Sequence, residues 1–198
     1  MSQRSYPMTL AETASIFAET LVRSALYEQA RSAEERLAIA WADADGAATF
    51  LVNIPARFDF ERALVAEREQ GYVSSARLKG LTDEAWGRWY EQSLDRYHPL
   101  FWAAKAHFSI AGFGFYNYPY LFGYLFSLGV YQQLMSRQAA GEAGVAKAYR
   151  ALLRDTGRMS AEELVERHLG QDIRKPAFWQ GSLALVEAAV ARFAQCGS

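Results

Sequence analysis

The chain has 198 residues, with 21 Lys and Arg against 22 Asp and Glu, so its formal net charge is -1. Because it offers no basic field to hold phosphate backbones or anionic lipid, nucleic acid is not expected as a partner. Hydrophobic residues make up 51% and aromatic residues 14%, so some apolar surface is expected to need a partner. The single cysteine, Cys196, forms no internal disulfide, and the cytoplasm is the expected compartment.

The N-terminal residues 1–10 contain no apolar run, so a secretory signal is not expected there. From there on, apolar residues recur at spacings of three and four, and no segment sustains a two-residue alternation. This pattern predicts an all-α fold, in one domain or a large piece of one spanning residues 1–198. The first helix is predicted over about residues 10–30, with Thr9 and Glu12 as a capping box at its start.

The second predicted helix repeats this signature with Ser32 and Glu35. The row of apolar residues along this helix continues until Pro55, where the helix is expected to bend. A charged helix follows and is predicted to end at Gly71, and another is predicted to open at Thr82. These elements are typical of a helical bundle.

Residues 106–136 contain no Asp, Glu, Lys or Arg and are the segment that most resembles a membrane span. Glycine, asparagine and proline interrupt the run, and five of its residues are tyrosines, which favour wet interfaces or pocket walls. We therefore expect a buried, cleft-lining element and no membrane contact. A short helix over residues 100–108 is predicted to lead into a loop hinged at Gly112 and Gly114.

Pro119 is predicted to begin a helix, which places Tyr120 and Tyr124 one turn apart on a common face. With Tyr116 on the preceding loop and His107 before it, several donors could meet one substrate carbonyl, as an oxyanion site requires. Composition alone favours the alternative, an aromatic core stripe in which each hydroxyl is satisfied locally. The residues themselves leave both interpretations open.

Three further helices are predicted toward the C-terminus. One covers residues 145–156, one opens with Ser160 and Glu163 as a capping box, and the last begins at Pro176 and runs to Gln195.

Two blocks of sequence carry the most specific pattern in the chain. The first block is residues 7–19, Pro-Met-Thr-Leu-Ala-Glu-Thr-Ala-Ser-Ile-Phe-Ala-Glu. The second block has three parts, which are His-Phe at 107–108, Phe-Tyr-Asn-Tyr-Pro-Tyr at 115–120 and Gly-Tyr-Leu-Phe-Ser at 123–127. The first resembles the segment after the His-Glu-x-x-His helix of oligoendopeptidase F, a zinc metallopeptidase of the thimet oligopeptidase superfamily. The second is similar to the His and Tyr substrate segment of that family. Weaker similarity lies in residues 57–61, 170–173 and 178–179, so the resemblance covers nearly the whole chain.

The resemblance implies a helical, zincin-like subdomain in which Glu12 is the third zinc ligand. Glu19 lies two helical turns further on and would support the site by orienting a neighbouring ligand. For Glu12, a capping bond to Thr9 remains the alternative that the residues alone suggest.

The same resemblance implies that His107, Tyr116, Tyr120 and Tyr124 donate to the scissile carbonyl as its oxyanion forms. It implies that the parent enzyme hydrolyses oligopeptides with metal-activated water and binds Zn2+. His98 and His168 match no motif and are interpreted as structural.

The family's His-Glu-x-x-His is absent, since the three histidines lie at positions 98, 107 and 168. We therefore expect a fragment of a longer enzyme, whose missing N-terminal part would be its partner. This chain alone is expected to be inactive and to hold zinc poorly. Without that part, the apolar, cleft-lining surface of residues 106–136 is expected to be exposed and to promote self-association.

Two other hypotheses remain at this stage. One is a catalytically inactive helical module that binds peptides or other proteins, which the missing motif favours. The other is a small membrane-associated helical protein built around residues 106–136, against which the glycines, prolines and tyrosines argue.

Overall fold

A computed structural model describes residues 7–110, 112 and 114–196, and throughout these residues the regular structure is helical. The all-α prediction is confirmed. The eight α-helices of this part of the chain are α1 (Thr13–Gln29), α2 (Ala33–Ala48), α3 (Ile54–Gln70), α4 (Ser75–Tyr90), α5 (Tyr118–Ala139), α6 (Val145–Asp155), α7 (Ala161–Leu169) and α8 (Pro176–Cys196). Short 3-10 helices cover Met8–Leu10, Phe101–Ala104 and Ala106–Phe108, and a π-helix covers Thr49–Asn53.

The chain forms two compact units, one of residues up to Ala47 and from Phe122 onward, and one of residues Ala48–Leu121. We call them the terminal unit and the central unit. Each has its own hydrophobic core.

The core of the terminal unit is formed mainly by side chains of α5 to α8. Phe126, Leu134, Leu164 and Phe178 are almost fully buried there, and each such side chain contributes about 1.5–3 kcal/mol when removed from water. The core also takes in Phe17 of α1, whose ring stacks on Tyr149 with centroids 3.9 Å apart.

The core of the central unit lies between α3 and α4. Phe60 of α3 is fully buried, and it belongs to the same cluster as Leu81 and Trp86 of α4. At the rim, Asp59 accepts hydrogen bonds from Arg88 at 2.8 Å and from the Trp89 indole at 2.9 Å. The two helices are thus joined by apolar packing within and by a charged contact at the surface.

Local sequence signals account for many helix ends. Gly71, with a positive φ of 144°, follows the last residue of α3 as predicted. Pro119 lies in the first turn of α5, where its missing N–H costs nothing. The predicted capping box of Ser160 and Glu163 is present at the start of α7, and α8 begins at Pro176.

Two predicted features are wrong. The first helix begins at Thr13, and Glu12 precedes it as the N-cap residue without a side-chain capping bond, so the capping box with Thr9 does not form. The helix assigned to Thr82 starts earlier, with Ser74 accepting the Arg77 N–H as its cap. Near Pro55, α2 ends at Ala48 and the π-helix Thr49–Asn53 leads into α3, whose first turn contains the proline. The bend expected there stays a prediction.

The uncharged run of residues 106–136 is not one continuous helix. It is divided between the 3-10 helix Ala106–Phe108, an irregular segment and α5, and part of its glycine-hinged loop, together with residues 1–6 of the N-terminal segment, lies outside the described residues. A different run, Ala33–Gln70, is long and apolar enough to cross a membrane by length and composition. Core helices of soluble proteins pass the same test, so this run alone does not establish a membrane segment.

Much of the exposed apolar surface lies elsewhere than the sequence predicts. Within α5, side chains such as Phe126, Val130 and Leu134 are buried inside the terminal unit, because α5 is a core helix. Ile110 and Tyr118 of the uncharged run are exposed. The larger concentration of exposed apolar side chains is on α1 and α2, at Leu21, Val22, Leu26, Leu37 and Trp41.

Candidate active site

The central unit brings three of the predicted site residues into a chain of aromatic contacts. The His107 ring lies 5.9 Å from the Tyr116 ring, and Tyr116 meets Tyr120 edge to face at 5.3 Å. His107 sits in the 3-10 helix before the glycine-containing loop, and Tyr120 sits in the first turn of α5. Residues separated by up to 13 positions therefore present an imidazole and two phenols in one place.

A buried carboxylate holds the segment that carries Tyr116. Glu61 of α3 is only 5% exposed. It accepts the backbone N–H of Phe115 at 2.6 Å and the side-chain amide of Asn117 at 3.4 Å. Phe115 has a φ of 55°, a left-handed conformation that is uncommon for a residue with a bulky side chain. The bonds thus fix the residues on both sides of Tyr116.

Burial and neighbouring positive charges favour the neutral form of the His107 imidazole. Burial lowers the pKa of His107, and the positive charges of Arg57 and Lys105 add to this effect, while Glu61 and the Asn117 amide act in the opposite direction. Its Nε2 atom is buried without a hydrogen-bond partner among the described residues. A neutral imidazole can donate or accept through this atom, according to its tautomer.

Arg57 of α3 adds a positive charge to the same region. Its guanidinium lies 5.0 Å from the centre of the Phe101 ring. Burial lowers the pKa of Arg57, and the phenols of Tyr90 and Tyr120 partly oppose this shift. Its buried Nε has no hydrogen-bond partner within the described part of the chain. The residue therefore keeps a charge close to Tyr120.

Glu12 lies in the terminal unit, at the N-terminus of α1. Its carboxylate accepts a 2.6 Å hydrogen bond from the hydroxyl of Ser15. On α5, Gly123 passes close by, because a Cβ added there would lie 3.4 Å from the Glu12 Cβ. The Ser127 hydroxyl donates to the Gly123 carbonyl at 2.7 Å and lies 3.4 Å from the Glu12 carbonyl. The matched residues 12, 123 and 127 are thus brought together.

Glu19 and Tyr124 share an electrostatic environment in the terminal unit. Glu19 forms an ion pair with Arg23, which also contacts Asp43 at 3.3 Å. Burial, followed by the negative charge of Asp43, raises the pKa of Tyr124 to about 12, although Arg23 opposes the shift. The Tyr124 phenol would be protonated at neutral pH even without this shift, and the shift extends its capacity to donate to higher pH.

The residues present do not fit a complete zinc site. Within residues 7–110, 112 and 114–196, no group of three or more His, Cys, Asp and Glu side chains is placed to hold a metal ion. A protein zinc site needs at least three such ligands, and Glu12 is a single carboxylate bonded to Ser15. No step of a metal-dependent reaction can be derived from this chain alone.

The other two histidines have local structural contacts. His168 of α7 bonds Asp155 of α6 at 2.9 Å, and the Nδ1 of His98 accepts the Leu100 N–H at 3.2 Å. These contacts agree with their structural interpretation.

Sequence reasoning missed the roles of Arg57, Glu61 and Asn117. The first two lie in a segment that shows weak family similarity, but nothing in the residue pattern predicts that Glu61 is buried. An acidic and a basic residue four positions apart on a helix usually suggest an exposed pair. Asn117, fully buried in the structure, lies in the tyrosine segment, where only the aromatic residues were given roles.

A comparison with known protein families matches most of the chain. No curated protein and no solved structure matches the chain. The sequence model of peptidase family M3 covers residues 1–185, which include the central unit, most of the terminal unit and all six candidate site residues. The chain therefore belongs to peptidase family M3, the family of thimet oligopeptidase and the oligoendopeptidases.

Proposed function

We propose that this chain is part of the catalytic domain of an oligoendopeptidase F-like zinc endopeptidase that hydrolyses oligopeptides in the cytoplasm. The family match supports the peptidase class. The observation that carries the assignment of the site is the contact chain of His107, Tyr116 and Tyr120, because these residue types donate hydrogen bonds to a carbonyl as negative charge develops on it.

In this proposal each candidate residue has the role that the family resemblance implies. Glu12 would provide one carboxylate ligand to Zn2+, and Glu19, which pairs with Arg23, would orient a neighbouring ligand. Tyr116, Tyr120 and Tyr124 act as phenolic donors to the substrate. The remaining metal ligands come from a segment that contains His-Glu-x-x-His, as the family chemistry requires.

The decisive experiment uses a protein in which this chain is joined to an upstream segment carrying His-Glu-x-x-His. Glu12→Ala is expected to lower zinc occupancy, because it removes a ligand. Tyr120→Phe and Tyr124→Phe are expected to leave zinc bound and to reduce kcat by roughly 100-fold each, the scale of a lost oxyanion donor. Zinc content by atomic emission and steady-state kinetics measure the two effects.

Tyr72→Phe provides the matched control, because Tyr72 is 94% exposed in the loop after α3 and lies outside the candidate site. It is expected to leave both zinc content and kcat unchanged. Tyrosine variants at positions 120 and 124 that lose stability but keep full activity would refute the proposal and support the aromatic core interpretation.

The second candidate is a catalytically inactive module that binds peptides. It is favoured by the absence of His-Glu-x-x-His from the sequence and of a three-ligand group among the described residues. Such a module would bind oligopeptides as the isolated chain, and the joined protein would stay inactive despite full zinc occupancy. Calorimetric titration with peptides, followed by assay of the joined protein, separates the two candidates.

A further inference from the structure

Glu61 is an unusual carboxylate in this chain because it is buried without an ion-pair partner. Among the described residues, no Lys, Arg or His forms an ion pair with the Glu61 carboxylate. Arg57, which lies one turn earlier on α3, does not form one either. Removing a carboxylate from water costs several kcal/mol unless hydrogen bonds replace the lost hydration. Its two partners are the Phe115 N–H and the Asn117 amide, so its place is determined by the 115–117 segment.

That segment is held in a conformation that the backbone does not favour. Phe115 has a φ of 55°, and such residues persist only when their surroundings hold them in place. The 2.6 Å bond from its N–H to Glu61 is of the charge-assisted type, which is roughly twice as strong as a neutral bond. The Phe115 ring adds an edge-to-face contact with Phe58 of the same helix, with centroids 5.8 Å apart.

Tyr116 lies between the two residues that Glu61 holds, and its ring contacts both His107 and Tyr120. We propose that Glu61 is a positioning residue, which locks residues 115–117 so that the Tyr116 phenol and the His107 imidazole are presented together to the substrate. Glu61 itself does not touch the reacting atoms in this arrangement. We call the two hydrogen bonds from Phe115 and Asn117 to Glu61 the lock. Its role in catalysis rests on the proposed function, whereas the bonds themselves do not.

The charges around His107 give the lock a spectroscopic signature. Arg57 and Lys105 lower the pKa of His107 along with burial, and Glu61 raises it. Replacement of Glu61 by glutamine removes the opposing charge, so the pKa of His107 is expected to fall further. A lesion that only loosened the fold would expose the ring to water and move the pKa upward, toward its ordinary value of 6.5.

The test compares Glu61→Gln with Asp59→Asn in the isotopically labelled chain by NMR. Both changes neutralise one carboxylate of α3, but Asp59 bonds Arg88 and Trp89 of α4 instead of the loop. In Glu61→Gln, we expect the Phe115 amide to exchange roughly tenfold to a hundredfold faster, the scale of a hydrogen bond to a charged group, and the His107 titration to shift to lower pH. In Asp59→Asn, both signals are expected to stay as in the unmodified chain.

Unchanged Phe115 exchange in Glu61→Gln, or equal changes in both variants, would overturn the proposal. If Glu61→Gln fails to fold, the unmodified chain still decides, because an amide proton bonded to a buried carboxylate has to be protected from exchange. A Phe115 amide that exchanges as fast as an exposed loop amide would refute the lock. These measurements need neither metal nor substrate, so their failure leaves the peptidase proposal standing. Conversely, kinetically silent tyrosine variants would refute that proposal and leave the lock in place.

Discussion

Gly129 of α5 lies in close contact with α8, and its replacement by alanine tests the packing of the terminal unit. A Cβ added there would lie 2.4 Å and 2.7 Å from two ring atoms of Phe178, and 2.8 Å from the Ser182 hydroxyl. Both neighbours are buried, and the Phe178 ring packs against Trp179 with ring centroids 5.2 Å apart. Contacts this short cannot persist, so the Phe178 ring or the helices have to shift.

The expected magnitude combines two opposing effects. Overpacking a tight core costs about 1–3 kcal/mol, and contacts this short to two buried side chains place Gly129→Ala at the upper end. Alanine in place of glycine gains about 0.5–1 kcal/mol in a helix interior. The net loss is therefore about 2 kcal/mol, which corresponds to a decrease in Tm of roughly 4–8 °C for a chain of this size.

Thermal and urea unfolding followed by circular dichroism measure the effect. Gly46→Ala is the matched control on α2. Among the described residues outside its own helix backbone, the only atom within 4 Å of the added Cβ is a terminal nitrogen of Arg23, at 3.8 Å. Gly46→Ala gains the same helix propensity without a clash, so its Tm is expected to rise slightly. If Gly129→Ala were as stable as Gly46→Ala, the close contact between α5 and α8 would be refuted.

Three further predictions concern activity, pH and association. The chain alone, with added zinc and a quenched peptide, is expected to show no turnover; chelator-sensitive turnover that Glu12→Gln removes would contradict this. Burial raises the pKa of Tyr149 to about 12, from an ordinary value of 10.0. Burial together with the negative charge of Asp43 raises the pKa of Tyr124 to about 12 as well. The unfolded chain ionises these phenols first, so their contribution to stability is expected to be constant below about pH 10 and to be lost between about pH 10 and 12, with a smaller loss in the Phe variants. Finally, the chain is expected to self-associate in light scattering during size-exclusion chromatography, because Val22 and Trp41 are 55% and 56% exposed; a soluble monomer that binds no hydrophobic dye would refute this.

Much of the helical architecture and part of the candidate site could be predicted before the structure was known. The aromatic segment brings His107, Tyr116 and Tyr120 into ring contact, while their role as donors stays a prediction. The exposed surface expected from residues 106–136 was largely misplaced, since an uncharged run is compatible with either a cleft or a core. Which of the two is realised depends on what packs against α5, and Phe126 and Leu134 are buried there.

The sequence by itself determined those features that depend on neighbours a few positions away. Ser160 with Glu163 caps α7, and Pro119 lies in the first turn of α5, because hydrogen bonds and dihedral restrictions at helix ends act within one turn. The family was also readable, since its segments follow one another in order along the chain. Contacts between distant residues were decided only by the tertiary structure. Glu61 meets Phe115 across 54 positions, and Gly129 meets Phe178 across the α5 and α8 contact, because burial and close approach arise only when separate helices share one core.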